Sequence, residues 1–125
     1  MKSNTLTILD RLNEILESVE LIEGWSSFAS QASDFMMSPH GVMAFNACVM
    51  RLQVIGENVG KLLRDENKPL EGYDSIPWHA IYNMRNFISH EYSNIDEDIV
   101  FLVIKEQLQP LKDTIRTIKK NIGEN

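Results

Sequence analysis

Apolar residues return every three or four positions along this chain, and that period admits one kind of backbone, the amphipathic helix. Ile8, Leu12, Ile15, Val19 and Ile22 mark one face of a first segment, with Leu9 and Leu16 widening the stripe. Phe45, Val49, Leu52, Ile55, Val59 and Leu62 mark a second, and Ile104, Leu108, Leu111, Ile115 and Ile118 a last one. Runs alternating apolar with polar residues, the mark of a half-buried strand, are missing.

Punctuation divides the pattern. Gly24 is expected to interrupt the first helix, with residues 25–37 continuing as a bent or second helix. Ser38-Pro39 reads as a helix start, since Ser accepts from orphan amides and Pro suits the first helical position. Gly56 and Gly60 sit one turn apart inside the second stripe. Each costs about 1 kcal/mol against Ala in a helix interior, so close approach of another helix is expected there. Residues 65–69 end that helix, and a polar loop runs to Ser75. Ile76-Pro77-Trp78 opens a third helix carrying Ile81, Met84 and Ile88 on one side and ending between His90 and Ser93. Asn94, with Glu97 three later, resembles a capping box for the last helix. Pro110 should kink or restart that helix, because it removes a ladder bond. The expected fold is an all-α, antiparallel four-helix up-and-down bundle with room for an extra short helix. At 125 residues it is expected to form a single domain over 1–125.

Composition narrows the function. The chain is 43% hydrophobic and 24% charged, ordinary for a globular protein, and no apolar run approaches a membrane span. The opening residues lack a signal-peptide pattern. With the single Cys48, which can form neither an internal disulfide nor a cysteine-cluster zinc site, this leads us to expect a cytoplasmic protein. No His/Asp/Glu grouping has metal-ligand spacing and no Gly-rich phosphate loop precedes a helix, so no metal and no cofactor are expected. The net charge of −6 argues against a general nucleic-acid binder, although a pocket answers to its nearby charges rather than to the sum.

The chemistry-bearing residues gather in Arg85-Asn86-Phe87-Ile88-Ser89-His90-Glu91-Tyr92. A fixed cation, an amide, an imidazole and a phenol within about two helical turns are groups that can bind and cleave a phosphodiester. An Arg and a His five apart is a weak signal alone in a chain with five Arg and three His. On a helix, Asn86 and His90 share a side, as do Arg85 and Tyr92. Arg85 and His90 are offset by about 140°. The backbone must turn near His90, or Arg85 must reach around, or another copy must complete the site.

Ile76-Pro77-Trp78 with Ile81, Met84-Arg85-Asn86, His90-Glu91-Tyr92 and Ile95-Asp96, preceded by Leu52-Gln53-Val54-Ile55-Gly56-Glu57, resembles the HepT branch of the HEPN superfamily. That resemblance covers the chain from the second helix to the last. It implies a small all-α bundle and a metal-independent ribonuclease working as a homodimer. Its signature of an Arg, a polar residue directly after it and a His further on is filled by Arg85, Asn86 and His90. Arg85 and His90 would be catalytic, with Asn86 assisting. The resemblance also implies that Tyr92 is the site where a minimal nucleotidyltransferase, the antitoxin partner, attaches AMP. A non-catalytic module that helps a nucleotidyltransferase hold substrate is the rival reading. The acidic balance favours that module, and the intact Arg/Asn/His set favours the enzyme.

Such residues suit metal-free RNA cleavage. A His can activate the 2′-hydroxyl or protonate the leaving oxygen, and Arg offers a permanent forked charge to phosphate oxygens. The other candidates read blandly. His40 is expected at the surface, Trp78 in the core or an interface, and Cys48 as a small buried hydrophobe. His79 lies about three turns before His90 and could share its side. Glu57 could pair with Arg85, though solvation is the simpler expectation. Lys112, Arg116, Lys119 and Lys120 give the last helix a basic side, explained equally by dipole compensation and by an RNA-tracking surface.

Overall fold

The computed structural model describes residues 2–90 and 95–123, with side chains for 7–84 and 95–123. Five α-helices follow in order: α1 (Lys2–Trp25), α2 (Pro39–Arg64), α3 (Trp78–His90), α4 (Glu97–Glu106) and α5 (Leu108–Asn121). A short 3-10 helix, Ala32–Met36, lies between α1 and α2. No strand occurs among the described residues, and none of their helices is long and apolar enough to cross a membrane.

The helices bury the stripes that the period marks out. Every one of the five α1 stripe residues, the six of α2 and the five running from α4 through α5 is buried, in one continuous core. Leu16 packs against that core half-buried. Helix α2 is the spine: α1, α3 and the 3-10 helix all pack on it, while α5 closes against α1 and α4 bridges the 3-10 helix and α5.

Its start is built as Ser38-Pro39 suggests. Ser38 Oγ accepts from Gly41 N at 3.0 Å, and Pro39 takes the first helical position. Gly41 matters for a second reason. A Cβ there would lie 2.7 Å from Phe35 O and 2.8 Å from Asp34 O, so the 3-10 helix can rest backbone to backbone on α2 only at a glycine.

Elsewhere the boundaries move. Helix α1 runs through Gly24, so that glycine does not interrupt it. What stops α1 is the serine pair beyond: Ser26 Oγ donates to Ile22 O at 2.7 Å and Ser27 Oγ to Gly24 O at 2.9 Å, satisfying carbonyls that a longer helix would use. Residues 25–37 then form turns and the 3-10 helix rather than an α-helix, with Phe35 wholly buried. Loop residues Leu70 and Ile76 are buried too, so the segment before α3 is less polar than its composition suggests. The N-cap of α4 is Asp96, whose Oδ1 accepts from Asp98 N at 2.7 Å; Asn94 lies outside the described residues. The last helix is two helices that meet at Gln107. Pro110 falls in the first turn of α5, where its missing N–H has no helical partner to lose. It marks a restart, placed three residues upstream of the proline itself.

Candidate functional site

Helix α3 carries the candidate residues, and its beginning is held from both sides. Ile76 and Trp78 are buried, and Trp78 Nε1 donates to Tyr73 O at 2.9 Å. Further along, Tyr82 meets α2 at Gly60, where a Cβ would overlap its ring. The guanidinium of Arg64 lies 5.7 Å from the centroid of the same ring. The expected close approach at the glycine step is therefore present at Gly60. Gly56 is buried on the same helix.

These contacts set the direction of α3. Trp78 and His79 line a cavity of about 460 Å³ with Leu62 and Arg64 from the end of α2. One turn on, Tyr82 reaches Gly60, so α3 runs back antiparallel along α2. The rest of α3, with Arg85, Asn86 and His90, thus continues from Gly60 in the direction of the earlier part of α2.

Arg85, Asn86 and His90 thus belong to one helix, and the backbone is helical at every step between them. The offset of about 140° between Arg85 and His90 therefore applies. The side chains of all three, and the whole of Tyr92, lie outside the described residues. So does any pairing of Arg85 with Glu57, whose own side chain is exposed.

The remaining candidates resolve one by one. His79 is exposed at the far end of α3, about 16 Å along the axis from His90, and it lines the Arg64 cavity instead. Trp78 is core. His40 is exposed, its ring 5.7 Å from that of Phe28. Cys48 is buried, and desolvation pushes its thiol up to about 11. The basic side of α5 is engaged in holding α1: Lys112 Nζ sits 2.7 Å from Glu23 Oε1 and Arg116 Nη2 3.4 Å from Glu20 Oε2. That removes two of its four cations from an RNA track.

One polar feature lies outside the Arg85–Tyr92 stretch. Between α1 and α2, the buried Asn58 donates from Nδ2 to Glu14 Oε1 at 2.7 Å and to Val54 O at 3.0 Å. About two turns earlier on α2, Arg51 Nη1 donates to Ser18 Oγ at 3.2 Å. The signal for this seam is an Asn flanked by Ile55, Val59 and Leu62 on an apolar stripe.

Comparison with known proteins bears on the same stretch. The profile of the family described as Ribonuclease HepT-like matches residues 12–118. The chain is 31% identical over 117 residues to "Gamma-glutamylcyclotransferase and putative RNase MJ0434" of Methanocaldococcus jannaschii, covering 91% of the chain but 48% of that protein. It is 28% identical over 111 residues to "Probable ribonuclease HepT" of Thermococcus cleftensis, covering 89% of the chain and 94% of the relative. It is 30% identical over 108 residues to "Putative RNase TTE0752" of Caldanaerobacter subterraneus subsp. tengcongensis, covering 86% and 89%. The chain thus spans about half of the first relative and most of the other two. No solved structure matches it significantly.

Proposed function

Because the chain belongs to the HepT-like ribonuclease family, we propose that it is a metal-independent endoribonuclease, the toxin half of a toxin–antitoxin pair, acting in the cytoplasm. The observation that carries this reading is the family match over residues 12–118, which includes Arg85, Asn86 and His90 on one helix. The name of the Methanocaldococcus relative joins two activities, of which the chain spans half the length. The two relatives covered nearly end to end are named for ribonuclease alone.

In the proposed reaction His90 takes the proton of an RNA 2′-hydroxyl. The freed oxygen forms a bond to phosphorus, the bond to the 5′-oxygen breaks, and that oxygen leaves with a proton from a second imidazole. The products are a 2′,3′-cyclic phosphate and a 5′-hydroxyl. Arg85 holds the phosphate oxygens as charge builds on them, and Asn86 orients His90 or the phosphate. Arg85 and His90 are offset by about 140° on one helix, and two copies sharing the cleft, each supplying one imidazole, relieve that offset. DNA is spared because the chemistry consumes a 2′-hydroxyl. Control rests with Tyr92. A partner nucleotidyltransferase transfers AMP from ATP to its hydroxyl, releasing pyrophosphate, and the added phosphate pairs with Arg85 and repels RNA.

The test is cleavage of a single-stranded RNA by purified protein, with end analysis for cyclic phosphate. Arg85→Ala should lower the rate about 10²–10³-fold and His90→Ala about 10²–10⁴-fold, with folding intact. Equal behaviour of all three folded proteins would leave the rival, a non-catalytic module serving a nucleotidyltransferase. For the switch, co-expression with the cognate nucleotidyltransferase should add one AMP at Tyr92 by mass spectrometry, and Tyr92→Phe should escape both modification and neutralisation.

A further inference from the structure

Arg64, on the last turn of α2, is a fixed cation that the bundle does not neutralise. Lys112 and Arg116 on α5 meet carboxylates, whereas Arg64 is in no ion pair among the described residues. Its partner is a ring instead. The guanidinium carbon lies 5.7 Å from the centroid of Tyr82, and Nη1 donates toward the Tyr82 hydroxyl at 3.5 Å. The side chain folds back along α2 to do so, the usual lean of a long helical side chain. A Cβ at Gly60, one turn earlier, would stand 3.4 Å from Arg64 Nη1. Gly60 thus makes room for the ring and the guanidinium together. The direction matters, because α3 continues from Gly60 the same way, toward Arg85. Tyr82 is three residues before Arg85 and four before Asn86, spacings that put the three positions on one side of α3. Along the helix axis Tyr82 and Arg85 are about 4.5 Å apart.

We propose that Arg64 is a phosphate subsite for the RNA substrate, holding the backbone phosphate next to the one that is cut. The inference rests on the ribonuclease reading and extends that site onto α2. A guanidinium suits the task, since its charge is permanent and its forked donors match phosphate oxygens. Arg64 is exposed and so open to a strand. The ring contact already holds it in place, so little freedom is lost on binding. Neighbouring charges choose the side on which the phosphate sits. The cavity that Arg64 borders at its other edge is lined by Asp65, Glu66, Glu71 and Asp74 against Lys68 and His79, a balance that repels a phosphate. On the Tyr82 side, Lys61 and Glu57 share the flank of α2 with Arg64, and their charges sum to zero. The excess there is Arg64 itself, beside the turn of α3 that carries Arg85. An Arg of α2 at Tyr82 and an Arg on the next turn of α3 can serve successive phosphates of one strand. An acidic chain thereby gains a local positive track.

Fluorescence anisotropy on the intact chain tests it, with a labelled single-stranded RNA whose 2′-hydroxyls are methylated so that it cannot be cut. Arg64→Gln should weaken binding roughly tenfold, alike across sequences. It should also flatten the dependence of log Kd on log salt by about 0.7, with unchanged helical circular dichroism. Arg64→Lys, which keeps the charge without the fork, should recover part of the affinity. Lys105→Gln removes a cation held over the Phe101 ring on α4 and should change neither quantity. Cleavage gives a second readout. Arg64→Gln should lower kcat/KM roughly tenfold on a longer strand and by a smaller factor on a dinucleoside monophosphate, which lacks the neighbouring phosphate. Wild-type binding and salt slope in Arg64→Gln overturn the proposal. So does an equal loss on the short and the long substrate, or an equal loss in Lys105→Gln. A wild type that binds through Arg64 but cuts nothing keeps the phosphate contact and removes the ribonuclease reading. Cleavage that needs His90 and ignores Arg64 does the reverse. A wild type that neither binds nor cuts ends both.

Discussion

Tyr82 on α3 occupies the space that a side chain at Gly60 on α2 would need. The glycine therefore carries its helix cost for a reason that lies 22 residues away. Replacing it with Ala would gain about 1 kcal/mol of helix propensity and lose more to overlap, on the order of 1–3 kcal/mol. Gly60→Ala should unfold at lower denaturant than the wild type. The double change Gly60→Ala with Tyr82→Ala should recover part of the loss, a coupling that a double-mutant cycle reads directly. A Gly60→Ala chain more stable than the wild type would show that the ring yields at no cost.

Asn58 is a buried polar side chain that bridges α1 and α2. Its amide has two acceptors, one of them the Glu14 carboxylate. Asn58→Ala should cost about 1–3 kcal/mol. Glu14→Ala should cost less, near 1 kcal/mol, because Val54 O still serves the amide. If chemical denaturation finds the two losses strictly additive, the 2.7 Å bond between them contributes nothing of its own.

Cys48 should be chemically quiet. Its thiol is buried with Sγ toward Ile22 O, and burial holds its pKa at about 11. At neutral pH it has almost no thiolate, which is the reactive form. Labelling by a maleimide should be slow in buffer, should accelerate through the unfolding transition, and should report opening of the α1–α2 contact. Fast labelling of the native chain would contradict its burial.

Acid should loosen the turn between α1 and α2. The backbone N–H of Ser30 hydrogen-bonds the Asp34 carboxylate, Gln31 N–H adds a second bond, and the group's pKa falls below its ordinary 3.8. A depressed folded pKa stabilises the fold above the unfolded value, and that contribution fades as pH drops through the folded one. Asp34→Asn should therefore lower Tm at neutral pH, with the gap to wild type shrinking below about pH 4. Melting curves across that range decide it. A gap that stays constant into acid would assign the effect to packing.

The helices were legible because burial obeys the period: the stripe through Ile8, Leu12, Ile15, Val19 and Ile22 needs no tertiary knowledge to place. Their ends were less so. Gly24 looked like a stop, whereas the stop belongs to two serine hydroxyls whose bonds compete with the helix only once the chain turns. Pro110 announced a break and displaced it, because proline is tolerated in a first turn and the restart falls upstream. The 3-10 helix left no periodic trace, since five residues are too few to show one. Lys112 and Arg116 could not be paired from sequence, as their acids lie 89 and 96 residues away. In the candidate site, the residue types and spacing of Arg85, Asn86 and His90 were legible, and so was their common helix. The step that orients them depends on what surrounds α3, which no local pattern encodes.

The pairing of α5 with α1 has a consequence for synthesis. Leu111, Ile115 and Ile118 complete the core beside α1, and the two ion pairs lie on the same seam. During translation the flank of α1 stays uncovered until α5 has left the ribosome. Domains fold as units, so a nascent chain presents α3 without a finished scaffold to hold it.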